Sequence, residues 1–493
     1  MPALIQWSQR HARGLHALLR LAERVAPRLA PLARAIGPER LGRWLLPLER
    51  GAKGALFGCR MCGQCALAVS GMSCPMRCAK QMRNGPCGGV RANGHCEVLP
   101  DMRCVWVGAT EGDARIHPGH TPAWWQRQPA LDARRQGRST WVELFRAEAP
   151  ALAPTTASAP VPRARPDPKA DPAAASPLRA CSGPLEAAVQ AHFQDGRFLV
   201  TVEIAPPDSP DPAVLLQRAA RFQGLVDAIN ITDGAGANCH MSSVAAASVL
   251  AGAGYTPVCQ VGCRDRNRIA VQGDVLGAAA LGVRNVLCLT GDDVSQGDHP
   301  QAKPVFDLDA VNLLQVLRGM RDDGVYASGR RLEQAPNFLL GATVNPFVAP
   351  FAERVANLER KIDAGARFIQ TQFCFDLPLL EAFMHAVRAR GLHRRAAILV
   401  GVGTLSSAKA LRWMAEHVPG VHVPLAVTDR IAAATDPRAE GVAIAIETIH
   451  ALRRIEGVAG VHLMGHRNEE SLARIIVGAG LRPPAPAPET PTV

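Results

Sequence analysis

A (β/α)8 TIM barrel of α/β class, preceded by a small cysteine-rich metal-binding domain, is the architecture this sequence predicts, and three observations carry it. Between residues 198 and 465 the chain contains eight short apolar, β-rich runs separated by Ala/Leu-rich helical stretches. Near-continuous apolar strands indicate a parallel sheet buried on both faces, and eight such units over about 300 residues suit a closed barrel better than an open sheet. Ahead of them, eight of the fourteen cysteines crowd between Cys59 and Cys104.

The bulk numbers bound the class. A chain of 493 residues argues for two or three domains, and 47% apolar with 20% charged residues permits ordinary globular cores. No apolar run reaches the length of a membrane span and the amino terminus lacks a hydrophobic signal core, which predicts a cytoplasmic protein without a membrane span. The net charge of +12 is uneven, because the first 50 residues hold nine Arg against three acidic residues. Such a bias suits nucleic acid, acidic lipid or an acidic protein partner. The absence of any recognition motif or interleaved aromatic pattern argues against nucleic acid and leaves an acidic partner or a solvated face.

Residues 1–50 form a basic helical segment. Within residues 12–36, Leu15, Leu18, Leu19, Ala22 and Val25 recur at helical spacing with Arg on the other face, and Pro27 and Pro31 are expected to kink or end the helix. It reads as a docking helix for the next domain in preference to a membrane-surface helix. Residues 51–145 form the cysteine-rich domain. Residues 146–183 form a linker whose Pro/Ala-rich core cannot offset the entropy of ordering, joining two independently folded units. The barrel spans 184–483, and 484–493 is a disordered tail.

The cysteine spacing is C-x2-C-x2-C-x8-C-x3-C-x8-C-x8-C-x7-C, through Cys59, Cys62, Cys65, Cys74, Cys78, Cys87, Cys96 and Cys104. In a long chain with no export signal this points to metal, not disulfides. Close thiolates suit soft-ligand chemistry: two 4Fe4S iron-sulfur clusters, or two structural zinc sites of four thiolates each. Gly, Arg and Asn surround most of them, unlike buried core thiols. By contrast Cys259, Cys263, Cys288 and Cys374 lie in the strand runs and read as small core residues, and His240 has no second ligand at metal spacing.

In a barrel of this kind chemistry sits at the carboxyl ends of the strands. The polar residues at those ends are Glu203, Thr232 with Asp233, the Arg264-Asp265-Arg266 cluster, Asp292, Asn345, Gln372 and Arg467. Each alone serves equally well as a helix cap or loop residue. Polar groups at seven strand ends together argue for a site.

These residues resemble the methylenetetrahydrofolate reductases through the whole barrel. VEIAPP is similar to that family's strand-one segment, which makes Glu203 the expected general acid. CLTGDD resembles the Gly-Asp ending of strand four and implies Gly291 and Asp292 beside flavin and pterin. RKIDAGARFIQTQFCFD is the closest match; it implies Lys361 as a flavin-phosphate contact and Gln372 as a folate contact. MGHRNEE resembles the strand-eight ending and implies Arg467 as a folate contact. Thr232, Gln260, Arg264, Asp265 and Arg266 complete the expected flavin surface. The implied reaction reduces 5,10-methylenetetrahydrofolate to 5-methyltetrahydrofolate, or the reverse, with hydride passing through flavin N5. A buried carboxyl protonates a folate nitrogen to open the methylene bridge, and a carboxylate such as Asp292 stabilises the cation formed. The segment NGPCGGVRANGHCEV, followed by RCVW, resembles the small cysteine-rich partner subunit of the acetogen reductase, here fused ahead of the barrel; that resemblance implies iron-sulfur centres feeding the flavin.

The chain departs from the family in four places. Ile204 and Ala205 follow Glu203 where an aromatic residue is usual, and Gln260 replaces a strand-three His. Ala410 and Met414 stand where a Gln and a Phe handle folate and nicotinamide, and the whole chain has only two Tyr. The cofactor expectation is therefore FAD or FMN, and the electron donor NAD(P)H or an electron-transfer protein. A homo-oligomer is also an expected assembly. An alternative from another class is a pterin-binding barrel that transfers a methyl group to a corrinoid protein.

Overall fold

The structure is a computed structural model, and it describes residues 2–119, 127–145, 183–418, 420–465 and 467–483. The Pro/Ala-rich stretch at 150–177 and the tail from 484 lie outside the described residues. Four helices begin the chain: α1 (Pro2–Arg10), α2 (Ala12–Val25), α3 (Ala30–Ile36) and α4 (Pro38–Phe57). The first helical stretch ends ahead of the two prolines, with α2 stopping at Val25 and α3 starting at Ala30. Pro27 begins a 3-10 turn, Ala26–Leu29, and Pro31 sits in the first turn of α3, where a missing N–H costs no helical bond.

The helices are not a separate domain. Ala12, Leu15 and Leu19 of α2 pack with Phe57, Cys62, Leu67, Met72, Cys74 and Met76, and Ser8 Oγ donates to Leu56 O at 2.6 Å. The boundary expected at residue 50 therefore falls inside α4, whose apolar face belongs to the cysteine module.

That module is mostly irregular from Gly58 to Cys104, then closes with α5 (Val105–Ile116) and the short α6 (Thr140–Glu143). With few ladder hydrogen bonds, its loops are held by side chains and close contacts. Gly71, at φ 55, and Gly112 of α5 approach so closely that a Cβ on Gly112 would stand 2.0 Å from Gly71 O. Buried Glu49 of α4 accepts from Lys53 Nζ at 2.6 Å and from the hydroxyls of Ser139 and Thr140 at 2.5 Å each. Burial alone would raise its carboxyl pKa, but these donors hold it below the ordinary value.

The eight strands are β1 (Leu199–Ile204), β2 (Ala228–Ile231), β3 (Pro257–Gly262), β4 (Asn285–Leu289), β5 (Leu339–Val344), β6 (Phe368–Phe373), β7 (Ala397–Gly403) and β8 (Val458–Met464). They form one closed, all-parallel barrel in chain order, with β8 pairing back onto β1. Every apolar run picked out in the sequence is one of these strands. Helix α7 (Pro184–Asp195) precedes β1 and seals the amino end of the barrel. Its Leu185, Ala188 and Val189 pack against Leu199, Val258, Leu287, Leu339, Phe368 and Leu399. The outer helices are α8 (Pro212–Ala220), α9 (Ser243–Gly252), α10 (Arg268–Ala280), α11 (Ala310–Arg318), α12 (Phe351–Ala364), α13 (Leu377–Ala389), α14 (Ala408–His417), α15 (Leu425–Ala433), α16 (Pro437–Leu452) and α17 (Glu469–Gly478). Their apolar faces and the outward-facing strand residues make the largest core, in which Cys259, Cys263, Cys288 and Cys374 are buried. No described helix is long and apolar enough to cross a membrane.

The cysteine module sits on the carboxyl rim of the barrel over the β3–β5 sector, joined by buried polar contacts. Asp309, just ahead of α11, accepts from the backbone N–H groups of Arg83 and Asn84 at 3.1 Å. The Asn84 carbonyl accepts from Asn357 Nδ2 at 2.9 Å and Arg360 Nε at 3.1 Å on α12. Asn345, at the end of β5, donates to Gly88 O at 2.8 Å, and Arg268 donates to Leu131 O at 2.8 Å. The two units share an interface at which Asn84 and Asp309 each satisfy the other's buried polar groups.

Candidate functional site

Strand residues alternate in and out, so the groups pointing into a barrel recur every second position. Above the apolar plug a polar layer fills the interior: Thr201, Asn230, Gln370 and His462, all buried. Asn230 Nδ2 donates to Gln370 Oε1 at 2.7 Å and Gln370 Nε2 donates back to Asn230 Oδ1 at 3.1 Å, which fixes both amides. Gln370 Nε2 also lies 3.2 Å from His462 Nδ1, and Thr201 Oγ1 lies 2.9 Å from the same nitrogen. With an amide donor on Nδ1, that nitrogen accepts and the ring proton belongs on Nε2. Nε2 faces Glu203 Oε2 at 3.7 Å.

One layer higher, Glu203 stands near the carboxyl end of β1, half-buried, and its Oε2 accepts from Gln260 Nε2 on β3 at 2.9 Å. Glu203 and Gln260 are thus brought together. Around the rim, Asp233 accepts from Gly262 N at 2.7 Å, Ser243 Oγ at 3.0 Å and Arg266 Nη1 at 2.6 Å. Arg266 also binds Asp274 at 2.8 Å; burial would lower its pKa, but the two carboxylates outweigh that and raise it. Arg264 pairs with Asp265 at 2.7 Å and donates to Gly234 O at 3.0 Å. Asp292 Oδ2 accepts from Gly236 N at 2.8 Å, tying the end of β4 to the loop after β2. Gly291 holds φ 95 with its α-carbon against Arg264, so a side chain there would collide with Arg264 Cβ at 2.9 Å. Thr232 Oγ1 is buried and has no hydrogen-bond partner among the described residues.

The remaining candidates divide. Gln372 accepts from Phe373 N at 3.0 Å, and its Nε2 has no hydrogen bond among the described residues. Arg467, in the left-handed region at φ 52, is exposed on the rim 3.9 Å from Asp208, which also holds His240 at 2.5 Å. Lys361 does not join the group expected of a phosphate contact. It lies buried behind β5 with Nζ donating to Thr343 O at 2.6 Å, and burial foremost, then Arg354, lowers its pKa to about 8.

The eight clustered thiols separate into two foursomes. Cys59, Cys62, Cys65 and Cys74 line one small pocket that also meets Lys53 and Arg138. Cys78, Cys87, Cys96 and Cys104 line another with Lys80 and Glu97. Among the described residues no three His, Cys, Asp or Glu side chains converge as they would on a single ion. In the first cage a hydrogen bond from Cys74, foremost, pulls the Cys59 thiol down to about 6. In the second, burial pushes Cys78 up to about 12. The second cage lies against the barrel: Arg354 Nη1 donates to Cys87 O at 2.5 Å, and Lys80 Nζ reaches Gly291 O at 3.0 Å.

Reasoning from sequence missed Thr201, Asn230, Gln370, His462, Lys80 and Glu97. Period two was the available signal for two of them, since Thr201 stands two before Glu203 and Gln370 two before Gln372. Nothing local marks Lys80 or Glu97.

Fold and site define an eight-stranded α/β barrel carrying a thiol-rich module on its catalytic rim. Residues 188–480, more than half of the chain, match the family described as methylenetetrahydrofolate reductase, and the chain belongs to that family. Residues 40–122 match a second family, described as methylene-tetrahydrofolate reductase C terminal, which here precedes the barrel. A curated relative, the 5,10-methylenetetrahydrofolate reductase of Pectobacterium carotovorum subsp. carotovorum, is 28% identical over 210 residues, covering 41% of this chain and 62% of the relative. The chain thus matches less than two thirds of that relative's length. Among solved structures, an uncharacterized protein from Clostridium thermocellum that binds two copies of 5-methyl-5,6,7,8-tetrahydrofolic acid aligns with TM-score 0.42 and 13% identity, over 58% of this chain and 97% of that one. The EDTA monooxygenase of Chelativorans sp. BNC1 aligns with TM-score 0.38 and 10% identity, over 59% and 95%.

Proposed function

We propose that the chain interconverts 5,10-methylenetetrahydrofolate and 5-methyltetrahydrofolate at the carboxyl rim of the barrel, with a resident flavin and with iron-sulfur clusters in the two thiol cages. The observation that carries this reading is Glu203, held between the Gln260 amide and His462 Nε2 above a polar layer that orients both.

Reduction of the substrate takes up two electrons and two protons, one of the protons travelling within a hydride. The other opens the methylene bridge by protonating a folate nitrogen. Gln260 donates to Glu203 Oε2, which leaves Oε1 to carry that proton towards substrate. Once the proton has gone, the carboxylate keeps the Gln260 donor and faces His462 Nε2–H. The iminium so formed is cationic, and Asp292 on the rim offers the nearby negative charge. Gln372 Nε2 and the exposed Arg467 guanidinium are the donors left to grip pterin and the acidic tail of folate. The buried, unpartnered Thr232 hydroxyl supports a polar cofactor edge at the end of β2, and Gly291, Asp292, Gln260, Arg264 and Arg266 would hold the rest of a flavin. That cofactor, FAD or FMN, supplies the hydride when bound.

The cages support clusters more than zinc. Four soft donors spread around each space suit a centre whose irons each take one thiolate. Lys53 beside the first cage and Lys80 beside the second offset the charge of anionic clusters.

The test is an anaerobic visible spectrum of the purified protein with iron, zinc and acid-labile sulfide measured on the same sample, followed by oxidation of 5-methyltetrahydrofolate with an artificial acceptor. Flavin bands over a broad brown shoulder, several irons per chain and turnover are expected. Protein without flavin that instead methylates a corrinoid would replace this reading with the methyltransferase one.

A further inference from the structure

Resting on the iron-sulfur reading above, we propose that the groove beside the first thiol cage is the docking site for a small acidic one-electron carrier protein. The groove measures about 570 Å³ and is lined by Cys65, Lys53, Trp141, Arg135 and Arg138 among others. Cys65 is the exposed member of the eight clustered thiols, and it opens into this groove. The second cage is pressed against the barrel through Lys80 and Arg354. The two cages therefore have opposite aspects, one towards solvent and one towards the β4 end of the site.

The groove is lined by Lys53, Arg134, Arg135 and Arg138 against Glu23, Asp132 and Glu143, an excess of one cation, and most of these charges are taken up in pairs. Glu23 is bound by Arg20 at 2.8 Å, Asp132 by Arg134 at 2.8 Å, and Lys53 by Glu49 at 2.6 Å. Arg135 and Arg138 on the groove, and Arg60 next to Cys59, have no ion pair among the described residues. Backbone and side-chain bonds lash the arginine loop to the cage loop: Gly137 N donates to Met61 O at 2.7 Å and Gln136 Nε2 to Arg60 O at 2.8 Å. Arg135 and Arg138, which line the groove with Cys65, are thereby held beside the exposed thiol of the cluster. Such a cationic edge selects an acidic face and speeds its encounter.

Redox stoichiometry favours a protein carrier over a nicotinamide. A nicotinamide gives up a hydride, which must land on an acceptor atom in contact with it, whereas a thiolate-held cluster takes one electron at a time. Each folate reduction consumes two electrons, so two carrier encounters oxidise two carriers and complete one turnover, with protons drawn from solvent.

The test uses the whole protein and a plant-type ferredoxin as the acidic probe, with binding measured by calorimetry at low and high salt. Parent protein should bind at low salt and lose affinity as salt screens the contact. The variant Arg135→Glu should bind about tenfold or more weakly, with iron and flavin contents unchanged. Arg412→Glu, on the distant helix α14, should bind like the parent. Iron in place with undiminished binding by Arg135→Glu overturns the docking site alone. Zinc in place of iron overturns the iron-sulfur reading and the docking proposal together.

Discussion

Lys80 of the cysteine module donates to the carbonyl oxygen of Gly291 at the end of β4 at 3.0 Å, while Glu97 holds the same ammonium at 2.6 Å. Burial would lower the Lys80 pKa, but Glu97 foremost, then Cys87 and Asp292, outweigh it and raise it. One buried cation thus links the second cage to the Gly-Asp pair on the barrel rim. Removing it in Lys80→Met leaves Glu97 buried without its partner, and a loss of about 3–5 kcal/mol is expected by chemical denaturation. The double variant Lys80→Met with Glu97→Gln should recover much of that loss. Equal stability of parent and single variant would show that the pair does not hold the module down.

Glu203→Gln should leave reduction of the flavin nearly intact and slow the folate half-reaction by about a hundredfold or more. Stopped-flow traces of the two half-reactions check this separately. Equal slowing of both would remove Glu203 from the proton-donor role.

Gln370→Met deletes the amide that pairs with Asn230 and directs the His462 proton. The stranded Asn230 should cost about 1–3 kcal/mol in thermal or denaturant unfolding. Turnover should fall more than folate affinity does, because the change reaches Glu203 only through the His462 ring. An unchanged ratio of kcat to KM effects would confine Gln370 to a packing role.

Lys361 gives a pH signature. Its folded pKa, lowered to about 8 chiefly by burial, lies below its unfolded value near 10.5. Between those values the unfolded chain binds more protons, so stability rises with pH. The penalty is fully present below about pH 8 and is relieved as pH approaches 10.5. The stability of the parent relative to Lys361→Met should therefore shift in the parent's favour by roughly 3 kcal/mol across that window. A flat difference across it would mean that Lys361 titrates normally.

Cys65→Ser and Cys96→Ser should each lower metal content by about half, since each strikes one cage of two, and the double variant should remove nearly all of it. Flavin content should stay level in Cys65→Ser. Loss of all metal from either single variant would show that the eight thiols act as one centre.

All eight strands were legible because each is a run of apolar residues buried on both faces, a pattern that depends on the strand itself. Glu203, Asp292 and Gln372 were legible because they end such runs. Thr201, Asn230, Gln370 and His462 were not, because a single polar residue inside an apolar strand acquires its meaning only from neighbours on other strands. Cys78 is closer in sequence to Cys74 than to any other thiol, yet the two belong to different cages; spacing does not encode that division. The Asn84–Asp309 contact, which seats the cysteine module on the barrel, joins residues more than two hundred positions apart and leaves no mark in the local sequence. Lys361 was placed by resemblance, and the structure sets it behind β5, where Thr343 claims its donor.

Because α7 stops the barrel at one end and the module roofs the β3–β5 sector at the other, the interior opens towards β8, β1 and β2, where Arg467 and Asp208 stand exposed. On the proposed function, folate enters at this opening and reducing power at the groove beside the first cage. Because the protein stores the electrons between the two half-reactions, neither partner needs the other bound, and initial-rate plots against the two should run parallel.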